Sequence, residues 1–269
     1  GAEGDNGTGV AGVNWKVRIM ALKFLKGNGA GTLEAAIKAI DYGVENGANI
    51  LNNSWGGGGF SEILKQAIER AEQKGVLFVA AAGNSALNND VRDSYPANYD
   101  IPNVISVAAI DSNGKLARFS NYGKQKVHIA APGVEVLSTV PGGYKSIDGT
   151  SMASPHVAGV AALLLAEEPN LSYQDVKDRL LATVKPLPSL SNKVLSGGVV
   201  NAYLALTNTL PEPDPNDPNN WESVEQNVST AHPYVNNFTD SYQLTVPGAE
   251  KVAVHFSRFE TERRYDTVV

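Results

Sequence analysis

Ser151 lies in the run Gly149-Thr150-Ser151-Met152-Ala153-Ser154-Pro155-His156-Val157-Ala158-Gly159-Val160-Ala161-Ala162-Leu163-Leu164-Leu165, which places a hydroxyl at the mouth of a small-residue, apolar helix. Thr150 and Ser151 suit the helix N-terminus, and Pro155 falls in the first turns, where a missing N–H costs little. A serine there meets free backbone N–H groups and the positive end of the helix dipole, and both favour a developing oxyanion. The chemistry this points to is nucleophilic attack on a carbonyl. A buried alanine-rich helix with a serine cap is the other use of such a string. Gly159 and the alanines let a second element pack close against the helix.

The elements that must position this hydroxyl read as alternating β and α from Gly1 to about Leu206. The runs 17–25, 49–54, 76–82 and 104–110 are apolar enough for buried strands. Thr32 caps a helix that runs through Val44 and stops at Gly47, and Ser61–Lys74 has one apolar face. Pro169 breaks the chain after the nucleophile helix, and Ser172 with Asp175 reads as the start of another helix. Continuous apolar strands between helices predict a three-layer α/β fold, a parallel sheet with helices on both faces. Ligand sites in such sheets lie beyond the carboxyl ends of the strands. Asn53-Ser54-Trp55-Gly56-Gly57 and Ala80-Ala81-Ala82-Gly83-Asn84-Ser85 occupy two such ends.

The nucleophile string closely resembles that of the subtilases, the subtilisin-like serine peptidases. The resemblance implies that Ser151 is the nucleophile of a Ser-His-Asp triad and that the Asn84 side-chain amide donates to the oxyanion. It implies a substrate cleft with Ser54, Trp55, Gly56 and Gly57 on one side and Ala81, Ala82 and Gly83 on the other, able to take an extended polypeptide as an added strand. Trp55 stands where a smaller apolar residue is usual; a pocket wall and plain packing are both open for it. Tyr95-Pro96 resembles a turn near the cleft that often carries a cis proline, and Ala131-Pro132-Gly133-Val134 precedes the nucleophile at the family interval. The opening loop resembles one that wraps a structural calcium, with oxygen ligands from the carbonyls of Gly4, Thr8 and Val10 and the Asn6 side chain. A flexible glycine-rich terminus is the alternative there.

In this family the order is Asp, then His, then Ser. No Asp-Thr-Gly, Asp-Ser-Gly or His-Gly-Thr-His string occurs, and the four histidines are His128, His156, His232 and His255. His156 lies about 7.5 Å along the same helix from Ser151 and is rotated by roughly 140°, so it reads as structural. The chain is therefore expected to be an N-terminally truncated peptidase domain. The triad His and Asp would lie outside it, and the isolated fragment would have little turnover. The alternative is a catalytically inactive subtilase-like protein that binds or scaffolds. An unrelated α/β hydrolase requires G-x-S-x-G, and Gly149-Thr150-Ser151-Met152-Ala153 lacks the second glycine.

The domain boundaries read as 1–209 for the peptidase-like part, 210–220 for a Pro/Asp-rich linker, and 221–269 for a partial all-β module. Alternating proline and acid keep the linker extended. Tyr242–Val246 and Lys251–Phe256 read as strands around a Pro247-Gly248 turn. Residues 254–269 resemble the middle of a CUB-like β-sandwich, in which acids matching Glu262 and Asp266 bind calcium in some members; surface acids are the plainer reading here. Composition excludes other classes. A net charge of −6 over 269 residues gives no electrostatic footprint for nucleic acid, and no apolar stretch spans a bilayer. Cysteine is absent, which excludes disulfides and thiolate metal sites. Family resemblance implies an extracellular, secreted protein, with structural calcium as its one possible cofactor.

Overall fold

The apolar runs 49–54, 76–82 and 104–110 form neighbouring strands of a parallel sheet, as their lack of polar alternation predicts. The structure is a computed structural model that describes residues 1–212 and, beyond them, positions 224, 241, 245–248, 252 and 254. Helix α1 (Leu33–Glu45) leads into β1 (Ile50–Asn53), α2 (Glu62–Gln73) leads into β2 (Leu77–Ala81), and β3 (Val104–Ile110) and β4 (Ile129–Pro132) follow. These four strands pair in parallel in chain order, with Asn52 opposite Val79 and Val79 opposite Ile105. A hairpin of β5 (Val136–Val140) and β6 (Gly143–Ile147) precedes α3 (Thr150–Glu167) and α4 (Tyr173–Ala182). The chain then forms β7 (Lys185–Pro186), β8 (Gly198–Val199) and α5 (Ala202–Thr207). Strand β8 joins β4 in parallel, and β7 closes that edge antiparallel to β8.

Successive side chains of each strand feed opposite layers. Leu77, Val79, Ile105 and Val107 pack with Val157, Ala161 and Leu164 of α3 and with Leu180 of α4. Phe78, Ala80 and Val104 pack on the other face with Ile40 of α1 and Leu64 and Ile68 of α2. Helix α3 is apolar nearly all round, which fits burial against the sheet on one side and chain on the other. A Cβ on its Gly159 would lie 2.8 Å from Val13 Cβ, so the 10–16 segment packs directly on the helix backbone.

Helix starts follow local chemistry. Thr32 and Ser61 accept hydrogen bonds from the N–H groups of Ala35 and Leu64, and Ser172 with Asp175 forms a reciprocal capping box. The 17–25 run departs from expectation. It is not a strand, and Ile19 is 73% exposed. Apolar content alone cannot make a strand, because the ladder needs a hydrogen-bonded partner. Among the described residues β1 is bonded only to β2, and a cavity of about 70 Å³ lies between Leu22 and Phe24 on one side and Leu51 and Trp55 on the other.

Residues 1–212 form one compact unit and 213–269 a second. The linker expected at 210–220 and the β module at 221–269, with Glu262 and Asp266, lie almost wholly outside the described residues. Thr245, Val246, Val252 and Val254, which fall in the two strands expected there, are in no strand. Pro247 and Gly248 do form a turn.

Candidate active site

The N-terminus of α3 meets the carboxyl ends of β1 and β2. Its N-cap, Gly149, has no side chain to offer the helix. The cap comes instead from Asn84, which leaves the end of β2 by way of Gly83. Asn84 Oδ1 accepts from both the Thr150 N–H and the Thr150 hydroxyl, each at 2.8 Å. Thr150 Oγ1 in turn accepts from the Gly83 N–H at 3.2 Å. With Oδ1 committed, the orientation of the carboxamide is set, and Nδ2 is the end left over. Among the described residues Asn84 Nδ2 has no hydrogen-bond partner, and neither does the Ser151 N–H. The next two amides of the helix, those of Met152 and Ala153, both turn to Gly149 O.

Gly149 keeps the space between these two donors open. Its φ is +151°, and a Cβ built on it would lie 3.6 Å from Asn84 Nδ2 and 3.6 Å from Ser151 N. An oxygen placed there has two unspent N–H donors and the helix dipole aimed at it.

Ser151 is tied to the end of β1 by a reciprocal pair. Its hydroxyl donates to Ser54 O at 3.2 Å, and the Ser54 hydroxyl donates to Ser151 O at 2.8 Å. The second bond corrects the expectation that Pro155 is cheap at its place. Pro155 has no N–H to give to the carbonyl four residues earlier, which is that of Ser151. The Ser54 hydroxyl supplies the missing donor from another strand. One turn on, Ser154 donates to Asn52 Oδ1 at 2.8 Å, a second tie between α3 and β1.

The remaining sequence-derived positions divide. Trp55 turns to Phe24, ring centroids 5.3 Å apart and nearly edge to face, and its Nε1–H donates to Asn53 Oδ1 at 3.0 Å. Gly56 and Gly57 are exposed beside Tyr95, whose carbonyl takes the Gly57 N–H at 3.3 Å; the Tyr95–Pro96 bond is cis. Ala81 and Ala82 are buried in the sheet, and the Ala82 carbonyl already accepts from Asn89 and Asn121. Gly4, Asn6, Thr8 and Val10 lie in a loop that curls round a recess of about 210 Å³, well away in sequence from Ser151. Asn6 Oδ1 accepts the Thr8 N–H at 3.0 Å.

Neither described histidine reaches Ser151. His156 Nδ1 donates to Met152 O on its own helix at 2.8 Å. His128 precedes β4, so it sits at the opposite end of the parallel sheet from Ser54 and Asn84. Its Nδ1 accepts the Ser106 N–H at 2.9 Å. Burial, with the Lys177 and Lys126 charges, brings its pKa down to about 3 and keeps the ring neutral. His232 and His255 lie outside the described residues. Among those described, no group of three His, Cys, Asp or Glu side chains could hold a metal ion. Two residues with a part in this geometry carried no signal of their own in the sequence. Thr150 read only as a helix-start residue, and nothing in the sequence marked Asn121, which donates to the Ala82 carbonyl.

Comparison with known proteins places the chain in a family. The subtilase family model matches residues 1–220. Subtilisin DY of Bacillus licheniformis is 46% identical over 185 residues, 68% of this chain and 66% of that protein. Subtilisin Savinase of Lederbergia lenta is 40% identical over 202 residues, 75% of this chain and 72% of its own length. Subtilisin-like protease 2 of Plasmodium falciparum is 39% identical over 214 residues, which are only 16% of that protein. Among solved structures, a protease of Pseudoalteromonas arctica superposes with a TM-score of 0.70 at 32% identity, covering 77% of this chain and 67% of that one. The chain thus spans about two thirds of the length of Subtilisin DY and a far smaller part of the Plasmodium protein. With four fifths of its residues inside the family model and relatives such as Subtilisin Savinase 40% identical over most of their length, the chain belongs to the subtilase family.

Proposed function

We propose that the protein of which this chain is part is a serine endopeptidase that acts on extended polypeptides. One observation carries the reading: Asn84 Nδ2 and the Ser151 N–H are both unspent and flank the open side of Gly149, next to the Ser151 hydroxyl. In the proposed reaction Ser151 Oγ bonds to the scissile carbonyl carbon while its proton passes to a histidine. The carbonyl oxygen becomes an oxyanion held by Asn84 Nδ2 and the Ser151 N–H. The C–N bond then breaks, the same proton leaves with the amine, and water releases the acyl group by the reverse steps. In the proposed reading the family order Asp, then His, then Ser puts that histidine and the aspartate that orients it upstream of Ser151, and His128, the one histidine that precedes Ser151 in this sequence, is engaged at the other end of the sheet. Ser54, Trp55, Gly56 and Gly57 form one wall of the cleft, and Ala81, Ala82 and Gly83 the other.

Three subsidiary assignments accompany this reading. The 3–11 loop holds a structural calcium ion through main-chain carbonyls of Gly4, Thr8 and Val10 and the Asn6 side chain. Its recess and its all-oxygen donor set suit a hard cation. Residues 221–269 begin a β-sandwich module that resembles a CUB domain. The protein acts outside the cell, which its lack of cysteine allows, and among the described residues no helix is long and apolar enough to cross a membrane.

The test is a fluorophosphonate probe on the full-length protein. Stoichiometric labelling that disappears in Ser151→Ala supports the reading, and an unlabelled, properly folded full-length protein overturns it. Residues 1–269 alone should label far more slowly, because a hydroxyl without its base is a weak nucleophile.

A further inference from the structure

Asn84 can serve an oxyanion only if its amide points in one direction, and its own side chain is exposed. Its Oδ1 anchor to Thr150 is one constraint. The other constraints come from a residue outside the catalytic strings, Asn121, which is 2% exposed and lies between β3 and β4. The Asn121 N–H donates to Gly83 O at 2.9 Å, and its Oδ1 accepts the Ser85 N–H at 2.9 Å. These belong to the two peptide groups on either side of Asn84. Both planes that flank the donor are thus fixed by one residue.

The rest of the Asn121 carboxamide is spent on the same loop. Oδ1 also accepts the Leu87 N–H at 3.1 Å, while Nδ2 donates to Ala82 O at 3.1 Å and to Asn89 Oδ1 at 3.0 Å. Every polar site of the side chain is used, and every partner lies between residues 82 and 89. The loop needs such a hold. Ala86 has φ +55°, a conformation a non-glycine residue adopts only when its surroundings impose it. Gly83 has φ +115°, and a Cβ there would fall 2.4 Å from Asn121 Nδ2, so the fit leaves no room for another residue.

We propose that Asn121 is a positioning residue for the oxyanion donor: it fixes the backbone on both sides of Asn84, and thereby the direction of Asn84 Nδ2. The inference rests on the peptidase reading above. Asn121 touches no reacting atom, so its removal should weaken transition-state stabilisation and leave ground-state substrate binding nearly intact. The test uses the full-length protein and peptide hydrolysis, with kcat counted per Ser151 labelled by the fluorophosphonate, so that loss of folded protein does not enter. Asn121→Ala should lower kcat at least about tenfold with KM within about twofold. Asn121→Ser, which keeps one donor and acceptor in a smaller volume, should fall between and carries the test if Asn121→Ala does not fold. In an Asn84→Ala background, Asn121→Ala should cost no more than about a further threefold, because the group it positions is gone.

A kcat per labelled site within about twofold of wild type in both Asn121 variants overturns the proposal while leaving the peptidase reading standing. So does an Asn121 effect that multiplies in full with that of Asn84→Ala. A wild-type protein that neither hydrolyses peptide nor labels removes both.

Discussion

Two helices of this protein begin in opposite ways. Helix α4 is capped by its own sequence: the Asp175 N–H donates to Ser172 Oγ at 3.1 Å, and the Ser172 N–H donates to Asp175 Oδ2 at 2.9 Å. Helix α3 has a glycine at the same place and is capped by Asn84, 66 residues away. The local cap is closed; each group it touches is satisfied within four residues of chain. The distant cap is half closed. It takes one amide of the first turn and leaves the next one, that of Ser151, without a partner among the described residues. A helix that only had to be stable would carry the first kind of start. The second kind places a hydrogen-bond donor from another strand beside an unspent amide, and that is what an anion site requires.

The sharpest way to break this contrast is Asn84→Asp. Aspartate is as good a cap as asparagine and sits well at the positive end of the dipole, so stability should hold to within about 0.5 kcal/mol. The amide donor, however, is gone, and kcat of the full-length protein should fall by about 10² to 10³. That magnitude comes from a subtilase itself and is carried over, not obtained from these distances. Asn84→Ala should lose the same activity and about 1 kcal/mol of stability besides. Urea melts beside hydrolysis rates would separate the two roles. If Asn84→Asp kept activity within about tenfold, the cap would be the only function of the side chain.

The same divide explains what could be read from the sequence. Local features were legible: the Ser172–Asp175 box, the Thr32 and Ser61 starts, and strand β3, which runs Val104–Ile110 as its apolar run predicts. Strands β1 and β2 fall within their expected runs. The Ser151 and Asn84 strings were legible as motifs, and the fold brings them within bonding reach of the same threonine. Features that depend on a remote partner were not legible. The 17–25 run has the composition of a strand, but among the described residues it has no ladder partner. The β5–β6 hairpin is largely exposed and carries little apolar alternation, so nothing marked it. Asn121 sits in an ordinary-looking Ser-Asn-Tyr-Gly string, and its bonds reach back 32 to 39 residues. The cost of Pro155 likewise depends on the Ser54 hydroxyl, which reaches the Ser151 carbonyl across 97 positions of chain.

That proline sharpens the comparison from a second side. In Ser54→Ala the Ser151 carbonyl loses the donor that replaces the absent Pro155 N–H, and because this acceptor is only partly buried the loss should cost about 1 kcal/mol. Pro155→Ala restores a main-chain donor to the same carbonyl. The double variant should therefore recover about 1 kcal/mol relative to the sum of the single changes. Chemical denaturation of the four proteins measures the coupling. Strict additivity would mean that the Ser54 hydroxyl does not stand in for the missing amide, and that α3 is held to β1 by packing and by the Ser151 and Ser154 hydroxyls.

The smallest expected effect belongs to the closed cap. Ser172→Ala removes one acceptor from the α4 amides and one donor from Asp175 and should cost about 1 kcal/mol of stability. Helix α4 reaches α3 through Val176 and Leu180, packed in the same apolar layer, and through an ion pair of Arg179 with Glu168, the residue that ends α3 far from Ser151. Those contacts do not depend on how the first turn of α4 is capped, so kcat per labelled Ser151 should stay at the wild-type value. Equal losses of stability in Ser172→Ala and Asn84→Ala, with loss of turnover in the second alone, would locate function at the helix start whose donor is left free. A drop in turnover with Ser172→Ala would instead show that the two helix starts are energetically coupled through α3, and that the division between a structural cap and a chemical one is drawn in the wrong place.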